Sequence, residues 1–174
     1  MKKVFVYLFL FISFIQAHPH TFIDVYPTLH VEGSKIVKIH IKWKMDDMSS
    51  AMLIMEFDTN SDGKIDEKEN DYIYKNYFVS LSKYHFYMDI IVKNEIVTLP
   101  NPKNFKASIE ENRVCYSFDI DKKYEVKGTK FDFYDKDFFV AMILKKEFVK
   151  VNNKVAKITG EDKDFYYMYR MELR

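Results

Sequence analysis

The stretch Ile36-Val37-Lys38-Ile39-His40-Ile41-Lys42-Trp43-Lys44 decides the fold class. Ile39, Ile41 and Trp43 fall on one side of an extended chain, and Lys38, His40, Lys42 and Lys44 fall on the other. A period of two is the pattern of a strand with one face buried and one face wet. Upstream, before the turn residues Glu32-Gly33-Ser34, Phe22, Asp24 and Tyr26 alternate with Ile23 and Val25. The two segments read as a β-hairpin.

Downstream of Lys44 the period changes. Asp46, Asp47 and Ser49 offer helix N-cap chemistry. Met48, Met52 and Met55, with Ala51 and Phe57, share one face at helical spacing. So do Ile73, Tyr77 and Leu81, with Tyr74 and Phe78. Three thioethers are also the soft donors that copper takes, but helical spacing among apolar neighbours reads first as a helix face in the core. From Tyr84 the chain returns to strands. Tyr84 to Val92 and Ile96 to Leu99 flank Lys93-Asn94-Glu95; Val114, Tyr116, Phe118 and Ile120 alternate with Cys115, Ser117 and Asp119. Lys130 to Tyr134 and Phe138 to Leu144 flank Asp135-Lys136-Asp137, and three strand patterns close the chain at 149–151, 155–158 and 165–173. The expected fold is α+β, an antiparallel β-sandwich-like domain with an inserted helical pair at about 46–84.

Composition agrees with a packed domain. Of 174 residues 48% are hydrophobic and 17% aromatic, ample for a core. Lys+Arg 27 against Asp+Glu 26 gives a net charge of +1, so no nucleic-acid partner is expected. One Cys, Cys115, cannot form an internal disulfide or a Cys-based zinc site, and it reads as a small buried hydrophobe. Lys2 and Lys3 precede an apolar run from Val4 to Ile15, then Gln16-Ala17. This is the order of a signal peptide over 1–17, too short to span a bilayer, with a single domain over 18–174. The expectation is a periplasmic protein of a Gram-negative bacterium with no stable membrane span after cleavage.

Asp58-Thr59-Asn60-Ser61-Asp62-Gly63-Lys64-Ile65-Asp66-Glu67-Lys68-Glu69 fits the twelve-residue EF-hand loop position for position. Asp58, Asn60 and Asp62 would supply side-chain oxygens, Lys64 its backbone carbonyl, Asp66 an oxygen directly or through water, and Glu69 a bidentate carboxylate. Gly63 permits the sharp turn. A single loop between two helices in an exported protein suits a structural Ca2+ clamp that works by mass action.

A chain cleaved after Ala17 begins His18-Pro19-His20. An amine with two imidazoles favours Zn2+, Ni2+ or Cu2+. Asp24 and another histidine, His30, His40 or His85, would have to complete such a site, with Asp46 or Asp47 as carboxylate. Taken singly, His30 and His40 read as strand-surface residues, and His85, in Tyr84-His85-Phe86-Tyr87, as an aromatic-packed imidazole. Asp135 and Asp137 read as turn residues. No nucleophile, acid–base or phosphate-loop constellation is present in the sequence, so an enzyme is not expected.

The His18-Pro19-His20-Thr21-Phe22-Ile23-Asp24 start, the strand ending in Trp43, Asp46-Asp47-Met48-Ser49-Ser50-Ala51-Met52, the EF-hand-like loop and Phe131-Asp132-Phe133-Tyr134-Asp135-Lys136-Asp137-Phe138-Phe139-Val140 follow in order. Together they resemble the bacterial exported family catalogued as domain of unknown function 1007. The resemblance implies a periplasmic component of an uncharacterised transport system. Its partner would be an inner-membrane transporter of the nickel/cobalt type, and His18 and His20 would be metal ligands. The competing reading is a calcium-stabilised structural or interaction domain of the cell envelope with no transition-metal role.

Overall fold

A computed structural model of the chain describes residues 20–174; the segment read as a signal peptide and His18 lie outside the described residues. Strands β1 (Thr21–Glu32) and β2 (Lys35–Met45) pair antiparallel across the expected turn, where Gly33 takes φ +58°. Ile39, Ile41 and Trp43 are buried, as are Ile23, Val25, Leu29 and Val31 on β1. Two helices follow, α1 (Asp47–Phe57) and α2 (Glu67–Ile73), then a π-helical turn over Tyr74–Phe78 and a 3-10 stretch over Val79–Tyr87. The remaining strands are β3 (Met88–Val92), β4 (Glu95–Val97), β5 (Lys103–Glu110), β6 (Arg113–Ile120), β7 (Tyr124–Glu125), β8 (Thr129–Phe133), β9 (Val140–Ile143), β10 (Lys150–Val151), β11 (Ala156–Asp162) and β12 (Tyr167–Leu173).

The fold is mixed α+β and mostly β, in two sheets. One runs β10-β1-β2-β6-β5, with β7 on β2 and β9 on β1; the other runs β11-β12-β8-β3-β4. Buried side chains from both sheets and from the helical segment join in one hydrophobic cluster. At its centre Trp43 meets Phe118 edge to face at 5.1 Å, and the ring of Phe78, from the π-helical turn, lies tilted at 4.3 Å from Phe105 and 5.1 Å from Phe118. Each such aromatic contributes about 1.5–3 kcal/mol through burial, which fastens the helical insertion to β5 and β6. Two backbone-to-side-chain bonds add register: Val114 N–H donates to Ser50 Oγ at 3.0 Å and Ala107 N–H to Asn70 Oδ1 at 2.7 Å.

Three expectations need correction. The sheets are not wholly antiparallel, because β9 and β10 both run parallel to β1. They pair with Thr21–Asp24 and Thr28–Leu29, so Pro27, which has no N–H to offer a ladder, falls between them. Next, the strand read from Tyr84 starts later, since residues 84–87 belong to the 3-10 stretch and β3 begins at Met88. Residues 134–139 carry the chain from one sheet to the other. Finally, the methionine face of α1 is not in the core. Met48, Met52 and Met55 are 67%, 60% and 83% exposed, while Ser49, Ser50 and Phe57 are buried. Ser50 donates to Met45 O and accepts from Val114 N–H, so a small polar side chain lets the helix lie close against β6. Cys115 is buried as expected, and burial pushes its thiol pKa up.

Candidate functional site

The connection between α1 and α2 carries the six loop residues. Asp58 caps the C-terminus of α1, its N–H donating to Ile54 O at 3.0 Å. Its carboxylate accepts from the N–H groups of Asp62 at 3.0 Å and Gly63 at 2.8 Å. Gly63 has φ +76°, the left-handed conformation that glycine takes without strain. Asn60 accepts from Asp62 N–H and Asp62 from Lys64 N–H, both at 2.9 Å. Lys64 itself is exposed, and Ile65 packs against the core. Asp66 is the N-cap of α2, and with Glu69 it forms a reciprocal capping box: Glu69 N–H to Asp66 at 2.8 Å, Asp66 N–H to Glu69 at 3.0 Å. The N–H and hydroxyl of Thr59 reach the other oxygen of Glu69 at 2.7 and 2.8 Å. The Asp66 N–H holds the Glu69 carboxyl below its ordinary pKa against burial, helped by the Thr59 hydroxyl and the N–H groups of Thr59 and Asn60. Asp58 and Glu69 are both buried. Carboxylate, amide and carbonyl oxygens are the donor types a hard divalent cation of the Ca2+ kind takes, but in this arrangement they face the loop's own N–H groups, and among the described residues no three of the acidic side chains gather into a group that could hold a metal ion.

A second site lies where the 3-10 stretch meets β3. His85, Phe86 and Tyr87 follow one another at φ 51°, 52° and 51°. Three successive left-handed residues without glycine are costly, of order 1 kcal/mol or more each, and such strain gathers at functional sites. Phe86 and Tyr87 go into the core, while the side chain of His85 stays 62% exposed, so the aromatic-packed reading fits its neighbours and not His85 itself. His85 Nδ1 lies 2.9 Å from the buried carboxylate of Asp89, which also accepts from the hydroxyl of Tyr134. Burial and this bond push the Tyr134 pKa far up. Since a carboxylate only accepts, Nδ1 donates and Nε2 is left for other work. His85, Asp89 and Tyr134 line a cavity of about 280 Å3 together with Asp135, Asp137 and Lys136. Asp135 is buried and caps its own turn, accepting from the N–H groups of Asp137, Phe139 and Val140 at 3.0–3.1 Å. This is the turn role read from sequence.

The other predicted ligands are dispersed. His20 donates its N–H to Phe139 O at 3.0 Å and stacks on the Phe139 ring, which ties the start of the described chain to the Asp135–Phe139 segment bordering the cavity. Asp24 and Asp47 instead share the guanidinium of Arg113, at 3.2 and 3.5 Å. Asp46 caps α1 through Ser49 and accepts from Phe22 N–H. His30 lies beside Glu32, and His40 binds Asp119 at 2.7 Å. Among the described residues no three His, Cys, Asp or Glu side chains form a group that could hold a metal ion. Sequence reading missed Asp89, although an acid inside Met88-Asp89-Ile90-Ile91-Val92 is a visible anomaly in an apolar strand. It missed Asp132 in the same way. Asp132 pairs directly across from Asp89 and is clamped by Arg170 through two bonds of 2.7 and 2.6 Å.

Two curated relatives are similar over most of their length. One is named an uncharacterized protein of Haemophilus influenzae, 31% identical over 147 residues, covering 82% of this chain and 70% of that protein. The other is named an uncharacterized 15.5 kDa protein in the trpE 3′ region of Spirochaeta aurantia, 30% identical over 102 residues, covering 54% of this chain and 69% of that protein. The family model described as "Protein of unknown function (DUF1007)" matches residues 4–161, more than half of the chain, and the protein belongs to that family.

Proposed function

We propose that this protein is an exported, calcium-clamped accessory of a transition-metal transport system, working in the periplasm beside an inner-membrane transporter. In this reading residues 18–174 form one sandwich-like domain whose helical pair is an EF-hand. The observation that carries the calcium part is the α1–α2 connection. There Asp58, Asn60, Asp62, Asp66 and Glu69 stand on one tight turn around a left-handed Gly63, with the carboxylates of Asp58 and Glu69 buried. Support for export is the charged and apolar order of residues 1–17. Among the described residues no helix is long and apolar enough to cross a membrane.

The transition-metal part rests on the N-terminal histidines. His20, the one of the pair within the described residues, is tied to the segment that borders the His85 cavity. Asp89 would orient His85 as carboxylates orient metal-binding histidines. Zn2+, Ni2+ or Cu2+ would suit these nitrogen donors. The competing reading, a calcium-stabilised envelope domain without a transition metal, is favoured by one observation: Arg113 occupies Asp24 and Asp47. No enzymatic role is proposed.

The test is native mass spectrometry of protein exported with its own signal and purified from the periplasm, followed by calorimetric titration. A mass starting at His18 with one calcium and one transition metal, the latter lost in His18→Ala/His20→Ala, is expected. Calcium alone would leave the envelope-domain reading. A mass retaining residues 1–17, or no calcium uptake, would overturn the proposal.

A further inference from the structure

The exposed methionines of α1 belong to neither site above. The sequence has nine methionines, one of them Met1. Among the described residues Met45, Met88, Met142, Met168 and Met171 are all buried, as thioethers that fill gaps in a core should be. Met48, Met52 and Met55 are the exception, and they stand together at i, i+4 and i+7 on one helix. Residues three and four apart on a helix have Cβ atoms roughly 5–6 Å apart, and a methionine adds three rotatable bonds, so three sulfurs at this spacing can converge on one point.

The helix that carries them is held firmly from its other side. Asp46 caps it through Ser49, Ser50 bridges Met45 and Val114, and Phe57 is buried edge to face against Tyr77 at 4.8 Å. The thioethers are therefore presented by a fixed backbone and do not serve to anchor it. Electrostatics around them favour a cation. Asp47–Phe57 contains no basic residue, and its last turn has no positive side chain to offset the negative end of the helix dipole; Asp47 is already paired with Arg113 and Glu56 with the Tyr77 hydroxyl, so the thioethers are the donors on offer. Neutral sulfur donors bind zinc, nickel and calcium poorly but suit a soft monovalent ion.

We infer that Met48, Met52 and Met55 form a surface site for Cu(I), built from three thioethers and separate from both the calcium loop and the His85 cavity. The site neither requires nor supports the calcium reading, and it uses a different metal and different ligands.

The experiment is anaerobic titration of the purified protein with Cu(I), held by a competing chromophoric chelator, alongside Ag(I) as a redox-inert probe read by 13C-methyl methionine NMR. One equivalent of Cu(I) is expected to be taken from the chelator, with Ag(I) shifting the methyl signals of Met48, Met52 and Met55 and leaving the five buried ones in place. Met48→Leu/Met52→Leu/Met55→Leu keeps the apolar volume and touches no buried contact, so it should fold as the parent does, with unchanged thermal midpoint, and lose the ion. Each single Leu variant should weaken binding by at least the roughly 10–100-fold that follows disturbance of a mere supporting contact at a metal site. His18→Ala/His20→Ala and Glu69→Gln should leave Cu(I) uptake unchanged. Retention of Cu(I) by the triple-Leu variant, or uptake that vanishes in the histidine variant, would overturn the assignment. So would no transfer from the chelator, which would leave the stripe an apolar surface only.

Discussion

Calcium should raise the thermal midpoint of this protein, and Glu69→Gln should remove most of that rise. Without the ion, Glu69 already has structural work. Its carboxylate accepts from Asp66 N–H, Thr59 N–H and the Thr59 hydroxyl, so it already caps α2 and closes the loop. Glutamine keeps one oxygen for that work but surrenders the charge and the two-oxygen grip on a cation. Lone extracellular loops of this kind bind with dissociation constants of roughly 10⁻⁴–10⁻³ M. At about 10 mM calcium the ion is in roughly 10- to 100-fold excess, and mass action then stabilises the fold by about 1.4–2.7 kcal/mol. For a chain of this size each kcal/mol moves the midpoint by about 2–4 °C, so a rise of about 3–11 °C is expected. Differential scanning fluorimetry of the chain with EDTA, calcium or magnesium measures it. Glu69→Gln should start somewhat below the parent in EDTA, because its amide nitrogen cannot accept and one of the two sets of loop bonds is lost, and should rise by no more than about 1 °C in calcium. Glu69→Ala should already be weaker in EDTA by about 0.5–2 kcal/mol, because it loses the capping box. A parent protein indifferent to calcium, or a Gln variant that gains as much as the parent, would refute the reasoning.

Three further outcomes follow from the same contacts. Burial raises the Asp46 carboxyl, but the N–H groups of Ser49 and Phe22 and the Ser49 hydroxyl outweigh it, so Asp46, like Glu69, sits below its ordinary pKa. Both stabilise the fold above the ordinary carboxylate range and cease to as pH falls through their folded values; urea midpoints should hold from pH 7 to about 5 and drop below about 4, less steeply in Asp46→Asn. Arg170→Met strands the buried Asp132 carboxylate opposite Asp89 and should cost about 3–5 kcal/mol by denaturant titration. Replacing Asp132 by Leu in the same chain should recover most of it, and a single-variant loss under about 1 kcal/mol would contradict the buried-pair reading. Tyr124→Phe deletes a buried hydroxyl that has no hydrogen-bond partner among the described residues, so stability should hold or rise by about 1 kcal/mol, and a clear loss would count against it.

What was legible in the sequence follows a physical line. Strand faces were readable because alternation is a local property: Ile39, Ile41 and Trp43 could only go one way once the chain was extended. The turn between α1 and α2 was readable for a similar reason, since the left-handed Gly63 and the Asp66–Glu69 capping box are set by neighbouring residues. The orientation of α1 was not. Helical periodicity groups Met48, Met52 and Met55 on one side, but it does not say whether that side meets the sheet. The decision was made by Ser50, whose hydroxyl joins Met45 O and Val114 N–H across the helix–strand contact, a partner 64 positions away. The parallel pairing of β9 with β1 is hidden for the same reason, being set by where residues 134–139 cross between sheets. The His85 site was half visible. An acid in the middle of an apolar strand marks Asp89, since a carboxylate there must find partners or be protonated. Its partners come from two places, His85 on a strained left-handed run and Tyr134 at the sheet crossover, and neither choice has a local signature. The two kinds of site therefore call for different tests. A loop written into consecutive residues can be probed by substituting its acidic side chains one at a time, whereas a site assembled from Asp89, His85 and Tyr134 responds as a unit, and only paired substitutions separate their contributions.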